Sequence, residues 1–527
     1  MRSAARYPLS AFSCSLLLAG CLGGASDRPS GNILRTNLKA DPAMIDPITY
    51  SELLAGDVIG NMYESFTGLD AEGNVVPSLA TSWAAHDDNR GFRFHLRAGV
   101  SFHSGRKLTA ADVKWSLEQL LIPGNRGGLN AKYAASIEGA GAVQSGDTEE
   151  LSGVTAVDEL TLDVRFREAE VLFPIYPIYI MDRGVVDEHG EDWPSEVSAG
   201  TGPFSFVEWR RGQVVRLEAH DEYWGGRPAI DGVDFLIVPS YETAISMYEA
   251  GELDLAMVEQ PFTRRVVKDT RFEPELLMTP AARIQYLGMN QNLYEPFKDI
   301  RVREAICRAI DLDGLSRGLF HGTAAPLAGQ ITKGVAGYNP ENRPVSYDPE
   351  RARTLLAAAG YPGGEGMPPL VISAPEPNRL ELAFYANQLK TELGIPIEVA
   401  VVERGTHLAA MNAGQVAFFP WAWSAAYPDG LYFLRDVWYG PSVYNRSRWQ
   451  NDAFDTLIER AAETPDNESR YELYHQAERI LLDDWGTCPT IVKMLVALEK
   501  PYVEGVTLGA FRFLPFANVT LVSAQMD

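Results

Sequence analysis

Positive charge is scarce in this chain, which has 46 lysines and arginines against 70 aspartates and glutamates in 527 residues. The formal net charge of −24 at pH 7 argues against a nucleic-acid-binding protein, because binding to the phosphate backbone needs basic surfaces. It also argues against tight adsorption to anionic membranes. An acidic chain is compatible with a cationic ligand, but bulk acidity also serves solubility, so charge alone does not define the ligand.

Cysteine, histidine and the common catalytic motifs are also scarce. The chain has 4 cysteines and 8 histidines, and no histidines stand at a tight metal-ligand spacing. It contains no Gly-x-Ser-x-Gly, His-Glu-x-x-His, Cys-x-x-Cys or Walker-type loop. We therefore predict no metal site, no other cofactor and no enzymatic activity, with a secreted hydrolase as the alternative.

Long apolar runs are confined to the N terminus. A short basic segment at residues 1–6 precedes an apolar run at residues 11–19, which is the layout of a secretory signal and is too short for a transmembrane helix. The next two residues, Gly20 and Cys21, complete a sequence that resembles the bacterial lipobox, in which cleavage leaves the cysteine as a lipid-bearing N terminus. We therefore predict a lipoprotein signal peptide at 1–20, with an ordinary signal peptide as the alternative.

Cleavage at this point would make Cys21 a lipid anchor and residues 21–31 a flexible tether, because residues 26–31 are polar and contain Pro and Gly. The predicted protein is exported, anchored to the membrane by lipid, and faces the periplasm or the extracellular side. Disulfides form in that environment. Cys307 and Cys488 can then pair or remain two buried free thiols, and the sequence does not decide between these alternatives.

The most informative segment of the mature chain is residues 76–113. Residues 92–97 alternate apolar and polar side chains, the period of a half-buried strand, and turn signals bracket a second short strand at 100–102. Thr109 stands three residues before Asp112, which forms an approximate capping box for a helix with one apolar face. Taken singly, these residues predict a stable small subdomain and no chemistry.

Strand and helix signals continue along the chain. A mature chain of about 500 residues is too long for one core, so we expect two or three domains. Strand–helix–strand units imply largely parallel sheets. The predicted elements are strands at 33–36 and 155–166, a helix over 300–310 with Ile300 on its apolar face, and a strand–helix–strand unit formed by 370–373, 379–393 and 397–401.

Four ordered blocks of the sequence resemble the solute-binding proteins of peptide-type ABC importers, solute-binding family 5. The blocks lie at 76–113, 200–237, 297–311 and 347–361, and the resemblance extends over about residues 32–525. It implies an α/β fold of the two-lobed periplasmic-binding-protein type (type II, Venus-flytrap), with an extra inserted subdomain in the first lobe.

The resemblance also implies the domain boundaries. The hinge between the lobes is expected near residues 288–290 and 488–489. The expected division of the chain is lobe I at 32–62, 199–288 and 489–527, the inserted subdomain at 63–198, and lobe II at 289–488.

An aromatic segment marks the expected ligand site. Residues 418–449 include 11 aromatic side chains in 32, against 10% for the whole chain. Such flat, rigid surfaces can line a pocket, although core packing is the alternative for any one of them. In the family this strand and loop border the ligand. The ligand-binding residues that the resemblance implies are Asp41, Met44, Trp421, Trp423, Ser424, Ala426, Tyr427 and Asp429.

At one of these positions the sequence departs from the family pattern. Peptide-binding members have an aspartate three residues after the tryptophan, and its carboxylate pairs with the α-ammonium of the peptide. Aligned on Trp423, this chain has Ala426 instead, and a buried charge that loses its partner is strongly destabilised. Asp41 could supply another carboxylate, while Asp429 could merely shape the turn. The ligand is therefore a peptide or a non-peptide solute such as an oligosaccharide, an opine-like conjugate or a metal chelate.

The resemblance implies a receptor that captures its ligand by closing two lobes around it. A monomeric receptor binds a small molecule or peptide between its lobes, and contacts with both lobes favour the closed state. The closed form then docks on an ABC permease, whose ATPase subunit drives import; both subunits belong to other chains. A sensor lipoprotein without a transport role is a further alternative.

Overall fold

The computed structural model describes residues 32–50, 52–70, 75–123, 128–190, 193–511 and 514–522. The predicted signal peptide, the tether and Cys21 lie outside these residues and stay predictions. None of the helices within the described ranges is long and apolar enough to cross a membrane.

Short strands are spread over the whole described chain. They are β1 (Ile33–Leu38), β2 (Thr67–Leu69), β3 (Val75–Pro77), β4 (Ala80–His86), β5 (Gly91–Leu96), β6 (Val154–Asp158), β7 (Thr161–Arg165), β8 (Phe204–Arg210), β9 (Val214–Ala219), β10 (Gly232–Ile237), β11 (Leu255–Val258), β12 (Leu276–Pro280), β13 (Arg283–Met289), β14 (Ala324–Pro326), β15 (Leu370–Ala374), β16 (Ile397–Val401), β17 (Phe418–Ser424), β18 (Cys488–Pro489), β19 (Ile491–Glu499), β20 (Val503–Glu504) and β21 (Thr520–Leu521).

Helices alternate with these strands and are longest in the second half of the chain. They are α1 (Leu53–Met62), α2 (Ala110–Gln119), α3 (Ala140–Ser145), α4 (Arg183–His189), α5 (Trp193–Glu196), α6 (Tyr241–Glu249), α7 (Thr263–Lys268), α8 (Ile300–Arg308), α9 (Leu312–Leu319), α10 (Pro349–Ala358), α11 (Arg379–Leu393), α12 (Arg404–Asn412), α13 (Leu431–Phe433), α14 (Asp452–Glu463) and α15 (Asn467–Asp483).

The strands form four principal sheets. Sheet 1 has the order β1-β10-β9-β8, and sheet 2 has the order β4-β5-β7-β6. Sheet 3 has the order β11-β19-β12, with β14 also paired to β19, and sheet 4 has the order β16-β15-β17-β13-β18. The expected largely parallel pairing is wrong. Parallel pairing is found between β1 and β10, and where β15 meets β16 and β17. The other ladders of these sheets are antiparallel, some formed by hairpins and others by strands that are remote in sequence.

Local signals predicted the helix of the 76–113 segment well. The Thr109 side chain and the Asp112 side chain form the expected capping box at the start of α2. The Asp112 carboxylate accepts hydrogen bonds from the Thr109 backbone N–H at 2.9 Å and from its hydroxyl at 2.8 Å. The apolar face of α2 is buried, including Val113 and Leu117. The helix is therefore fixed both at its first turn and along its length.

Three local predictions differ from the structure. The single strand expected at 155–166 is the hairpin β6–β7, because a turn at residues 158–161 interrupts the alternation. The strand expected at 100–102 is reduced to one bridge between Ser101 and Lys107. Ile300 is 40% exposed, because it stands in the first turn of α8 beyond the buried face that Val302 and Ile306 form.

Sheet 4 places the predicted ligand segment against a buried strand. β17 pairs antiparallel with β13 along its full length, from Arg283 opposite Ser424 to Met289 opposite Phe418. This register sets Trp421 opposite Tyr286 and Trp423 opposite Ile284. Two residues apart on one strand, the tryptophans share a face of the sheet. β13 crosses the expected lobe boundary at 288/289, so this one strand contains residues from both sides of that boundary. The domain boundaries themselves stay predictions.

Buried apolar residues form separate cores on these sheets. One core joins sheets 1 and 2 to α14 and α15, a second packs α8 and α11 on sheet 4, and a smaller third core surrounds α6. Cys307 and Cys488 lie in the second core as buried free thiols that are in hydrogen-bond contact with each other. Burial raises the pKa of the Cys307 thiol, so it is protonated and unreactive.

Candidate ligand-binding cleft

A cavity of about 560 Å³ opens between distant parts of the chain. One wall comes from residues 50–69 together with 130–133 and 175–179, and the facing wall is the loop 425–432 that follows β17. Phe511, Pro515 and Ala517 contribute further lining. The volume is in the range that holds a small molecule.

Tyrosine side chains dominate the lining. Tyr427 of the loop meets Tyr176 of the opposite wall with ring centroids 5.2 Å apart, and it meets Tyr432 of its own loop at 4.9 Å. Burial raises the pKa of Tyr432 to about 12, so its hydroxyl is neutral at physiological pH. The lining tyrosines are Tyr50, Tyr63, Tyr133, Tyr176, Tyr179, Tyr223, Tyr427 and Tyr432.

Few ionisable groups interrupt this surface. Glu52, Asp57 and Glu64 line one wall, and Lys132 is the one basic side chain in the described lining. Burial lowers the pKa of Lys132, which the carboxylate of Asp436 partly offsets. The Lys132 ammonium lies 5.1 Å from the Tyr133 ring and 5.7 Å from the Tyr432 ring, so two aromatic rings flank the charge of this exposed side chain.

Glu64 is held by three donors at the edge of the cavity. Its carboxylate accepts hydrogen bonds from the Trp224 indole N–H at 2.9 Å, from the Tyr223 hydroxyl at 2.9 Å and from the Thr201 hydroxyl at 2.8 Å. Burial outweighs these donors and raises the pKa of Glu64 to about 7. The group is therefore poised to change its charge near neutral pH.

Two of the predicted ligand-binding residues line this cavity. They are Ala426, which is half-buried, and Tyr427, which is buried. The side chain of Ala426 is a single methyl group. The loop therefore presents an apolar surface to the cavity at that position.

Trp421 and Trp423 lie beside the cavity. Both rings are half-buried, and the Trp423 ring is 6.2 Å from that of Tyr432, which connects the tryptophans to the lining. The Arg446 guanidinium lies 4.9 Å from the Trp421 ring and 5.7 Å from the Trp423 ring. Ser424 ends β17 and is exposed.

Asp429 has internal partners. It is buried, and its carboxylate accepts hydrogen bonds from the backbone N–H of Leu431 at 2.9 Å and from the Tyr474 hydroxyl at 2.6 Å. The Arg470 guanidinium lies 3.3 Å away as its ionic partner. These contacts link the loop to α15. They agree with the alternative that the sequence left open, in which Asp429 shapes the turn.

The two residues predicted from the first strand lie after β1, outside the cavity lining. Both carboxylate oxygens of Asp41 accept hydrogen bonds, one from the Trp209 indole N–H at 2.9 Å and one from the backbone N–H of Gly212 at 2.8 Å. Met44 is 48% exposed. A ligand role for Asp41 or Met44 stays a prediction.

The sequence analysis missed most of the wall that faces the loop. Tyr133 and Lys132 follow a segment without a periodic pattern, whereas Tyr176 and Tyr179 belong to the stretch Ile-Tyr-Pro-Ile-Tyr-Ile at 175–180. That local aromatic density was a usable signal. What it could not show is that tertiary packing brings this stretch to Tyr427.

Comparison with known proteins places the chain in a family. The family model of bacterial extracellular solute-binding proteins, family 5 (middle), matches residues 74–445, and the chain belongs to this family. It is 27% identical to the probable deoxycholate-binding periplasmic protein YgiS of Escherichia coli (strain K12), over 90% of this chain and 91% of that protein. It is 25% identical to the dipeptide-binding protein DppE of Bacillus subtilis (strain 168), over 94% of this chain and 95% of that one.

A solved structure shows the same fold. The unliganded open form of the periplasmic murein tripeptide-binding protein MppA superposes with a TM-score of 0.83, at 24% identity, over 94% of this chain and 99% of that chain. The predicted two-lobed α/β fold is thereby confirmed. The protein is an exported solute-binding component of an ABC importer, and its family is one of receptors.

Proposed function

We propose that this protein captures a small, largely apolar or aromatic solute in the 560 Å³ cavity and delivers it to an ABC permease. The observation that supports the proposal is the composition of the two facing walls. Tyr176 and Tyr179 lie on one side and Tyr427 and Tyr432 on the other, so one flat ligand would contact both. A closed state allows the ligand to contact both walls at once, whereas an open state does not. A ligand that binds both walls therefore stabilises the closed state.

A short peptide is the second candidate ligand. The name of one relative, the dipeptide-binding protein, favours it. So do the carboxylates of Glu52, Asp57 and Glu64 in the lining, because an ammonium group needs an anionic partner when it leaves water. The name of another relative refers to deoxycholate, a non-peptide. The family resemblance further implies that this chain has Ala426 in place of the aspartate with which peptide-binding members hold the ammonium.

The compartment and the assembly are part of the same proposal. Lipid on Cys21 would hold a monomeric receptor at the membrane surface, close to its permease. Metabolic labelling with a radioactive fatty acid tests this step. Label is expected on the full chain and is expected to be lost in Cys21→Ser; label that persists in that variant would contradict lipidation at Cys21.

The ligand proposal is tested by mass spectrometry of solutes that copurify with the protein, followed by thermal denaturation with each solute. A genuine ligand raises the melting temperature in proportion to the logarithm of its concentration above Kd. Tyr432→Ala should abolish the stabilisation, because it removes one wall of the cavity. The matched control is Tyr347→Ala, since Tyr347 is 42% exposed and lies outside the cavity lining.

Two outcomes would contradict the proposed function. Equal ligand stabilisation in the Tyr432→Ala and Tyr347→Ala variants would show that the solute binds elsewhere. Recovery of a chemically altered solute after incubation would instead favour the secreted-hydrolase alternative. An unaltered solute with loss of binding only in Tyr432→Ala is the expected result.

A further inference from the structure

Arg446 differs from the other buried arginines of the described chain in what surrounds its charge. Arg303 donates to the backbone carbonyls of Trp485 and Phe297 and lies near Asp484, and Arg470 lies against Asp429. Arg446 is 3% exposed, yet no carboxylate of the described residues lies within ion-pair distance of it. Its Nε donates to the side-chain oxygen of Asn412 at 2.9 Å, the Tyr286 hydroxyl is a further neutral hydrogen-bond partner of the guanidinium, and its Nη1 has no hydrogen-bond partner.

Two tryptophan side chains beside this guanidinium have indole N–H groups without acceptors. The indole N–H groups of Trp421 and Trp423 are buried and lack hydrogen-bond partners, and their rings lie 4.9 Å and 5.7 Å from the guanidinium. The His407 ring lies 6.3 Å from that of Trp421, and its buried Nε2 also has no partner. Buried polar groups are usually satisfied, so two indole N–H groups without acceptors beside a guanidinium without a carboxylate partner form a place where an anion would be stabilised.

The cluster adjoins the proposed ligand cavity. The Trp423 ring lies 6.2 Å from that of Tyr432, a lining residue. Tyr444 covers the other side, 4.8 Å from Trp423 and 5.9 Å from the guanidinium. Tyr444 is 41% exposed, so this side of the cluster reaches the protein surface.

We propose that Arg446, Trp421 and Trp423 form an anion subsite that binds a carboxylate of the transported solute. The inference rests on the proposed function and narrows it to organic acids. A planar carboxylate can accept two parallel hydrogen bonds from a guanidinium fork and a further bond from an indole N–H. The ligand's apolar body would then lie along Trp423 and Tyr432 towards the tyrosine-lined cavity.

The test uses the full chain labelled with 15N at tryptophan, and three probes of similar size: benzoate, its uncharged analogue benzamide, and phenyl phosphate. The indole signals of Trp421 and Trp423 are assigned from the Trp421→Phe and Trp423→Phe variants. Benzoate is expected to shift both signals in a saturable manner, because each indole N–H gains an acceptor. Benzamide is expected to leave them in place.

Arg446→Gln removes the charge at similar length and should weaken benzoate binding about tenfold or more. The matched control is Arg448→Gln, which removes the neighbouring charge; Arg448 is half-exposed and donates to the Asn412 carbonyl at 3.1 Å. That variant should bind benzoate with an affinity close to that of the unmodified chain. If Arg446→Gln fails to fold, the two Trp→Phe variants serve instead, since each keeps a ring and loses an N–H, and each should bind benzoate several-fold more weakly.

Several results would overturn the subsite. The first is the absence of a saturable shift of the indole signals with benzoate, and the second is an equal shift of these signals with benzamide. The third is an unchanged affinity for benzoate in Arg446→Gln, or in both Trp→Phe variants. Tighter binding of phenyl phosphate than of benzoate would also overturn it in favour of a phosphate ester. A copurified solute whose stabilising effect depends on Tyr432 but not on Arg446 would leave the proposed function standing without the subsite.

Discussion

Neighbouring residues in the loop after β17 have different surroundings. Ala426 and Tyr427 line the cavity, whereas the Asp429 carboxylate is turned to Tyr474 and Arg470. The sequence predicted all three as ligand residues from one motif. It could not separate them, because Tyr474 and Arg470 lie on α15, more than 40 residues along the chain. A sequence motif predicts where the loop lies. Which of its side chains can contact a ligand depends on the residues that pack against the loop in the folded protein.

The substitution Ala426→Asp tests whether the alanine determines ligand choice. A carboxylate at this position in the lining would pair with a peptide ammonium, so alanylphenylalanine should bind about tenfold tighter or more, while its N-acetyl derivative should not. Isothermal calorimetry measures both. The control is Ala425→Asp, one residue earlier in the same lining. Peptide binding by the unmodified chain as tight as by the variant would show that another group already holds the ammonium.

Glu64 should make stability depend on pH. Its pKa rises from 4.5 to about 7 on folding, so the folded state binds a proton more tightly than the unfolded state does. The resulting stabilisation is fully present below pH 4.5 and is lost as pH rises through about 7. Because Glu64 borders the open cavity, we expect the loss to be ~2 kcal/mol.

Urea unfolding at pH 5 and pH 8 measures this effect. The Glu64→Gln variant keeps an acceptor for Trp224 and cannot titrate, so it should lose about 2 kcal/mol less than the unmodified chain over this interval. Glu242→Gln, at an exposed position in α6, is the control and should behave as the unmodified chain does. Identical pH dependence in all three proteins would contradict the proposed role of Glu64.

At the scale of elements, β13 and β17 form the ladder that positions the tryptophans. Gly288 stands opposite Phe419 in this ladder, and a Cβ added at Gly288 would collide with the Phe419 ring. Phe419 is fully buried, so its ring has little room to move. Close packing at this point needs a residue without a side chain.

Gly288→Ala should therefore lower the free energy of unfolding by about 1–3 kcal/mol, the cost of overpacking a core. The control is Gly141→Ala in α3, where an added Cβ meets nothing within 4 Å and helix propensity improves. That variant should be neutral or stabilised by up to ~1 kcal/mol. Chemical denaturation compares the two; equal effects at both positions would mean that the Phe419 contact does not limit the sheet.

Elements with strong local signals were the ones that the sequence predicted correctly. The helix predicted at 379–393 has those bounds as α11, and the Thr109 capping box marks the start of α2. Strand pairing was predicted less well. Alternation over 155–166 is the same for one strand or for a hairpin, and the direction in which a strand pairs depends on neighbours that are remote in sequence.

The candidate site shows the same limit. The tryptophans of β17 were predicted from aromatic density together with family resemblance. Arg446 was not predicted, because a single arginine in a polar stretch looks exposed until the structure shows it buried under Trp421 and Trp423. Burial of a charge is a property of the assembled fold, which no local pattern reports.

At the scale of the whole molecule, one cavity wall belongs to the predicted lobe I with its inserted subdomain and the other to the predicted lobe II, so we expect lobe closure to bring them together. A solute held by both walls should shift the population towards a more compact form, whereas a solute that touches one wall should not. Small-angle X-ray scattering measures this as a fall in the radius of gyration when a copurified solute is added in excess over Kd.

Lys132→Met separates closure from simple occupancy. The substitution leaves the loop 425–432 intact but removes the ammonium that lies 5.7 Å from the Tyr432 ring across the cavity. For an anionic solute that contacts both walls, we expect weaker binding and, at saturation, a smaller fall in the radius of gyration than in the unmodified chain. Lys390→Met, on α11 and outside the cavity lining, is the control and should close fully. A saturated complex of the unmodified chain with the radius of gyration of the free protein would show that this receptor signals occupancy without closing.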